Sequence, residues 1–266
     1  MSGSLMTTLW WQYITPTALP NIEVFYDAAQ SKASTFNNGV IASGTEITSW
    51  HNDGTLTSHD WNSTGGQRPE WYSNIQNGLG VVRFNNTTVG VPSGEDGDTN
   101  ENLTINPVTY LQSLTGATMA IAFRSLTANS GTRYCTSTDT NGYQWGQTGN
   151  TWIGGFAGAT YTVNGVTADT NFHYITVVFD GTQSGNANKI KVRLDSVDCN
   201  LTFTGTAGAN TSSSVKYFYG GATGTSSSDQ NSFWIGDIGE VLIFTRALSA
   251  SEIITVENYL STKWAL

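Results

Sequence analysis

The sequence predicts an all-β protein, a two-layer sandwich of the jelly-roll kind, with a short C-terminal helix and an extended N-terminal arm. Three observations carry this. Short runs alternate apolar and polar residues with period two, turn dipeptides separate the runs, and helical spacing occurs only near the C-terminus.

The arm covers residues 1–21 and the sandwich domain residues 22–266. In the arm, Leu5, Leu9, Trp10, Trp11, Tyr13 and Ile14 follow no single period, and Pro16 and Pro20 exclude a helix running through them. In the domain, Met119, Ile121 and Phe123 alternate with Ala120, Ala122 and Arg124. Ile190, Val192 and Leu194 alternate with Lys189, Lys191, Arg193 and Asp195. Such strands bury one face against a second layer. The run 172–180, FHYITVVFD, is apolar on both faces and reads as a central strand. Turn signals stand at Asn38-Gly39, Asp53-Gly54, Asn77-Gly78, Asn141-Gly142, Asn164-Gly165 and Asp180-Gly181. The polar stretches 205–214 and 220–230 read as loops. At the end, Ser249 and Glu252 have the spacing of a capping box, and Leu248 and Ile253 that of a hydrophobic staple. Ile253, Val256, Tyr259 and Leu260 then form one apolar stripe of a helix that should dock on the sandwich.

Composition narrows the function. Charged residues are 12% of the 266-residue chain, about half the usual ~25%. The surface must therefore be polar through Ser, Thr, Asn, Gln and Gly, while Trp 9, Tyr 11 and Phe 11 supply a core. The net charge of −9 repels phosphate backbones and argues against nucleic acid. No apolar stretch approaches the ~20 residues of a membrane span. The first 21 residues lack a basic region followed by a continuous apolar one, which predicts synthesis without a secretory leader. Cys135 and Cys199 are too few for a disulfide framework, lack metal-ligand spacing, and are expected as free thiols.

The stretch 236–265, GDIGEVLIFTRALSASEIITVENYLSTKWA, resembles the C-terminal signature of laminin-G-like jelly-roll domains of phage and bacterial proteins, within the concanavalin A-like superfamily. That signature has a Gly-Asp-Ile-x-Glu strand, then Arg-Ala-Leu-Ser, then a helix ending Tyr-Leu-x-x-Lys-Trp. Residues 172–195 resemble the family's preceding hairpin. Val24-Phe25-Tyr26-Asp27-Ala28, Ser49-Trp50-His51-Asn52-Asp53, Arg68-Pro69-Glu70 and Val82-Arg83-Phe84 follow in the family's order. The resemblance covers most of 22–266 and leaves the arm outside. It implies the fold strongly and function weakly, since this fold hosts lectins, adhesins, glycosidases and virion parts.

Few constellations carry chemistry. Glycosidases of this fold use a strand bearing Glu-x-Asp-x-x-Glu, and the nearest match, Asp96 to Glu101, has Gly, Thr and Asn where strand formers belong. Asp237 and Glu240 are three apart on a strong strand, so regular alternation places them on opposite faces. His51, His59 and His173 lack partners at zinc spacing, and no G-x-S-x-G elbow occurs. Asp96, Asp98, Asn100 and Asn102 offer oxygen at every second position, as a calcium loop does, but the glycine expected after the third ligand is missing. Calcium ligation and a plain polar loop both remain open. Trp61, Trp71, Tyr143, Trp145 and Trp152 can serve as stacking platforms for sugar rings or as core.

These readings predict a non-enzymatic virion surface protein, a phage head decoration protein, fibre or tail adhesin displaying a lectin-like sandwich toward host glycans. Leu9, Trp10, Trp11 and Tyr13 of the arm would anchor it to a capsid or tail structural protein, in many copies or as a homo-oligomer. The alternatives are an extracellular carbohydrate-binding module of a secreted bacterial protein and a glycoside hydrolase.

Overall fold

A computed structural model describes residues 19, 21–30, 35–36, 39–56, 59–63, 68–85, 101–127, 130–139, 142–226 and 229–266. The anchor residues Leu9, Trp10, Trp11 and Tyr13, and Asp96, Asp98 and Asn100, lie outside these.

The described strands in chain order are β1 (Ile22–Asp27), β2 (Thr45–Glu46), β3 (Ser49–Trp50), β4 (Trp61–Asn62), β5 (Glu70–Gln76), β6 (Leu79–Asn85), β7 (Leu103–Ile105), β8 (Gly116–Ser125), β9 (Ser130–Thr138), β10 (Gln144–Gly149), β11 (Thr151–Phe156), β12 (Ala159–Thr167) and β13 (Phe172–Asp180). A single helical turn, α1 (Asn186–Lys189), precedes β14 (Ile190–Leu194), β15 (Val197–Asp198), β16 (Asn200–Thr204), β17 (Phe218–Gly220), β18 (Thr223–Ser226), β19 (Asp229–Asn231) and β20 (Ile235–Phe244), and α2 (Ala250–Trp264) closes the chain. The first sheet runs β15-β14-β13-β8-β20-β6-β5-β2, with β1 also on β20. The second runs β16-β12-β11-β10-β9-β17-β7-β4-β3. Every pairing within the two sheets is antiparallel. The expected all-β sandwich is therefore present.

The alternating strands sort their residues as their period dictates. Met119, Ile121 and Phe123 of β8, with Ile190, Val192 and Leu194 of β14, enter the core between the sheets. Ala120 and Ala122 face the other way, into a second cluster beneath α2. Their small side chains let the helix approach closely, so both faces of the central strands are buried. On α2, Val256, Tyr259, Leu260 and Trp264 are buried in this second cluster, with Ile253 packed at its edge. Glu252 closes the capping box by accepting from the Ser249 amide at 2.9 Å. Leu248 and Ile253, the two ends of the expected staple, belong to the same cluster.

Two sequence expectations change. Asn164-Gly165 lies inside β12, where the pairing with β11 shifts register, and not in a turn between strands. Within residues 220–230, expected as loop, 223–226 and 229–230 belong to the paired strands β18 and β19.

A bulge in β20 produces the larger correction. The register against β8 shifts between Ile238 and Glu240, so two residues of β20 oppose one of β8 and the alternation is rephased. Asp237 and Glu240 consequently stand on the same, helix-covered face. Gly239 sits at the bulge because a Cβ there would lie 2.5 Å from the Trp264 ring. Both carboxylates are fully buried and held by cations. Asp237 accepts from Arg83 Nε at 2.7 Å and from the Arg124 guanidinium. Glu240 lies 2.9 Å from Lys263 Nζ and accepts from Tyr259 Oη at 2.6 Å and Trp264 Nε1 at 3.0 Å. Glu240 thus bolts α2 to the first sheet, while Asp237 ties β6, β8 and β20 together within it.

His173 is clamped at the start of β13, with Nδ1 2.6 Å from Asp195 Oδ2 and Nε2 2.9 Å from Asp169 Oδ1. Burial disfavours its charged form, but the two carboxylates outweigh burial and raise its pKa above 6.5. A raised folded-state pKa means a stabilising contribution that is complete below the unfolded value and lost as pH rises through the folded one. The melting temperature is therefore expected to decline from pH 6 toward pH 8. In His173→Gln this decline should flatten, which a series of thermal melts across that window would read.

Candidate glycan-binding face

The five aromatics expected as core or sugar platforms are core. Trp61, Tyr143, Trp145 and Trp152 are wholly buried and Trp71 is 7% exposed. Trp61 Nε1 donates to the Phe218 carbonyl at 3.1 Å, and Trp71 Nε1 to that of Ala28 at 2.8 Å. Trp145 stacks on Trp152 at 5.7 Å with Phe123 edge-on to both, while Tyr143 packs on Phe156 at 4.5 Å. A ring with no open face cannot receive a sugar, so these residues are withdrawn as platforms. Cys135 and Cys199 are both free thiols.

The acidic segment after β6 also changes meaning where it is described. Glu101 is 3% exposed and accepts from the Asn85 amide at 2.6 Å. Asn102 is fully buried and its Oδ1 accepts from Thr104 Oγ1 at 3.1 Å. Both side chains are engaged in sheet structure, so Asn102 is withdrawn as an open calcium ligand. Among the described residues no group of three His, Cys, Asp or Glu is arranged to hold a metal.

The solvent face of the second sheet is the best-built surface for a polar ligand. Strand alternation sends Trp145, Trp152, Phe156, Tyr161 and Val163 inward. It leaves Gln144, Gly146 and Thr148 of β10, Thr151, Ile153 and Gly155 of β11, Thr160, Thr162 and Asn164 of β12, and Asn200, Thr202 and Thr204 of β16 outward. Register aligns these into cross-strand ranks. One rank is Gln144–Gly155–Thr160–Thr204, and the next is Gly146–Ile153–Thr162–Thr202. Thr148 pairs with Thr151, and its hydroxyl lies 3.0 Å from that of Thr132 on β9. Asn164 Nδ2 donates to Thr202 Oγ1 at 3.0 Å. None of the twelve outward positions on these four strands carries a charge.

Two features give this face texture. Tyr134 of β9 pairs with Gly146 and heads the second rank as a half-buried ring. Gly146 cannot be larger, since a Cβ there would lie 2.0 Å from the Arg133 carbonyl oxygen, so the β9 backbone lies directly over this position and Gly146 is buried beside Tyr134. At the head of the first rank Gln144 is 3% exposed, with its Oε1 unpartnered. An unmatched acceptor at a buried position is costly to leave unpaired. Tyr134 gave no signal in the sequence, because its neighbours Arg133 and Cys135 set no period; only the β9–β10 register places it.

A second concavity, of about 550 Å³, lies between β14, β16 and the first turns of α2, with Ile190, Val192, Leu201, Phe203 and Ile253 in its walls. Lys191, Arg193, Asp198 and Asn200 supply its polar groups.

The described part is thus an antiparallel β-sandwich with one face covered by a helix and another presented uncharged to solvent. No family model and no curated protein matches the sequence. By structure, the chain is similar to a Trypanosoma rangeli sialidase in complex with 2,3-difluoro-KDN, with TM-score 0.52 and 10% identity over 91% of this chain and 33% of that one. It is also similar to the binding domain of botulinum neurotoxin serotype D/C, with TM-score 0.51 and 11% identity over 92% of this chain and 53% of that one. The chain therefore spans a third of the sialidase and about half of the toxin domain, and at these identities the likeness establishes the β-sandwich fold.

Proposed function

We propose that this chain is a non-catalytic display module that binds glycans through the outer face of its second sheet. The observation that carries this is the ordered, uncharged array of hydroxyl and amide groups around Tyr134 and Gly146. Hydroxyl-bearing ligands are read by such donor–acceptor groups, with an aromatic ring for the apolar face of the sugar. Asp237 and Glu240 are already committed to ion pairs, the first within the first sheet and the second with Lys263 of α2, which favours binding over hydrolysis.

We place the module on a phage virion, as a head decoration protein, fibre or tail adhesin present in many copies. This rests on the resemblance of residues 236–265 to phage domains and on the Trp-rich segment 5–14, which would seat on a capsid or tail structural protein. The sialidase likeness favours a second reading, a carbohydrate-binding module attached to a larger extracellular protein. Capture of host-cell polysaccharide by the purified chain, weakened at least tenfold in Tyr134→Ala with an unchanged melt, is the expected result. Equal capture by both proteins would remove this face from consideration. Deleting residues 1–15 should leave the domain folded and abolish particle incorporation; normal occupancy after deletion would exclude the anchoring role.

A further inference from the structure

We infer that the ligand of this face is a neutral glycan, one without sialic acid, uronic acid or sulfate. The inference rests on the glycan-binding reading above and names the chemical class that the face selects. An acidic sugar brings a carboxylate or sulfate that must leave water, and its desolvation is offset only by a cation or several oriented donors. Arg and Lys are the usual partners, Arg through its bidentate fork.

The outward positions of β10, β11, β12 and β16 are Thr, Asn, Gln, Gly and Ile throughout. Arg133 of β9 is turned away: it is 5% exposed, and its Nη1 donates to the Phe233 carbonyl at 2.9 Å. Arg193, on β14 of the other sheet, is taken by Glu257 and Asp198 at 2.8 and 2.6 Å. A chain of net charge −9 adds a field that repels anions on approach.

What the face does provide suits neutral hydroxyls. Each Thr offers one donor and two acceptor lone pairs, and neighbouring members of one rank stand at the ~4.8 Å spacing of adjacent strands, close to the length of one pyranose unit. A polysaccharide laid along Ile153–Thr162–Thr202 would meet Thr hydroxyls on the adjacent strands β12 and β16, with one ring over Tyr134 at the head of the rank. Ile153 supplies an apolar patch in the same rank.

The test presents the full chain to an array of neutral glucans, mannans, galactans and N-acetylglucosamine oligomers beside their sialylated, uronic and sulfated counterparts. The expected result is capture of at least one neutral series and at least tenfold weaker capture of its acidic counterparts. The double substitution Thr162→Val and Thr202→Val keeps the β-branched shape and removes both hydroxyls. It should weaken neutral capture at least fivefold without lowering the melting temperature. Thr202→Arg, at an exposed position, should raise capture of acidic glycans. Acidic glycans bound as tightly as neutral ones, or neutral capture untouched by the double substitution, would overturn the inference while leaving a glycan-binding protein. Capture of no glycan would instead sink the glycan-binding reading on which it rests.

Discussion

Replacing Lys263 by methionine is expected to destabilise the protein by roughly 3–5 kcal/mol, the usual cost of removing one partner from a buried ion pair. The melting temperature should fall on the order of 10 °C. Lys263 Nζ sits 2.9 Å from both Asp27 and Glu240 and donates to Tyr259 Oη at 2.9 Å. Asp27 and Glu240 are themselves cross-strand neighbours on β1 and β20. Without the ammonium, two carboxylates would face each other beneath the helix, one of them with no access to water. Methionine keeps the length of the stem, so the measured loss reports charge more than packing. The pH dependence is diagnostic. Burial pushes Glu240 up to about 6 from its ordinary 4.5, against the pull of Lys263. The native state therefore holds more protons than the unfolded chain between those values, and this group's contribution falls as pH rises from 4.5 to 6. Removing Lys263 removes the opposing pull, so Glu240 should titrate still higher. The deficit of Lys263→Met should then be greatest near pH 7–8 and shrink on acidification toward pH 5. Adding Glu240→Gln should recover part of the loss at neutral pH. A deficit under 1 kcal/mol, or one independent of pH, would show that the cluster is not held by charge.

The same cluster shows where sequence reading works and where it stops. Alternation in 119–124 and 190–194 assigned faces correctly, because the period of a strand is a local property of the backbone. The capping box and staple of α2 were legible for the same reason. The relation of Asp237 to Glu240 was not, because one bulge residue reverses the phase of everything after it. Gly239 was the available signal, since glycine inside a strand marks a bulge or a close approach, and here it marks both. The five aromatics misled in a different way. Around Trp145 the polar neighbours Gln144, Gly146 and Thr148 occupy one face, so strict alternation already turned Trp145 to the other. Tyr143 escaped that rule through its left-handed backbone, φ 50°, which places it in the core beside Trp145 in the chain. The candidate face could not be read locally at all. Its Thr-x-Thr pairs at 160–162 and 202–204 lie far apart in sequence, and only the β12–β16 register brings Thr160 to Thr204 and Thr162 to Thr202.

Truncation after Arg246, which removes α2, is expected to abolish the folded state and not merely to weaken it. The helix contributes Val256, Tyr259, Leu260 and Trp264 to the second cluster, all at most 8% exposed. Burying a large apolar side chain stabilises by ~1.5–3 kcal/mol, so these four account for roughly 6–12 kcal/mol, similar to the whole stability of a domain at ~5–15 kcal/mol. Their loss also strands the groups they cover. Trp264 stacks on Phe172 at 5.3 Å, Glu240 loses every hydrogen-bond donor described above, and Arg193 loses Glu257, which it contacts through two bonds at 2.8 and 3.2 Å. Ala120, Ala122 and Leu242 would become an exposed apolar strip on the first sheet, and such a surface associates. The truncated chain should therefore lack a cooperative melt by circular dichroism and elute as aggregate, while Ser249→Ala, which removes only a cap, should cost ~1 kcal/mol and stay monodisperse. A truncated chain that melts cooperatively within a few degrees of the full one would mean that the two sheets close a sufficient core between themselves, and that the helix covers the first sheet without being needed to form it.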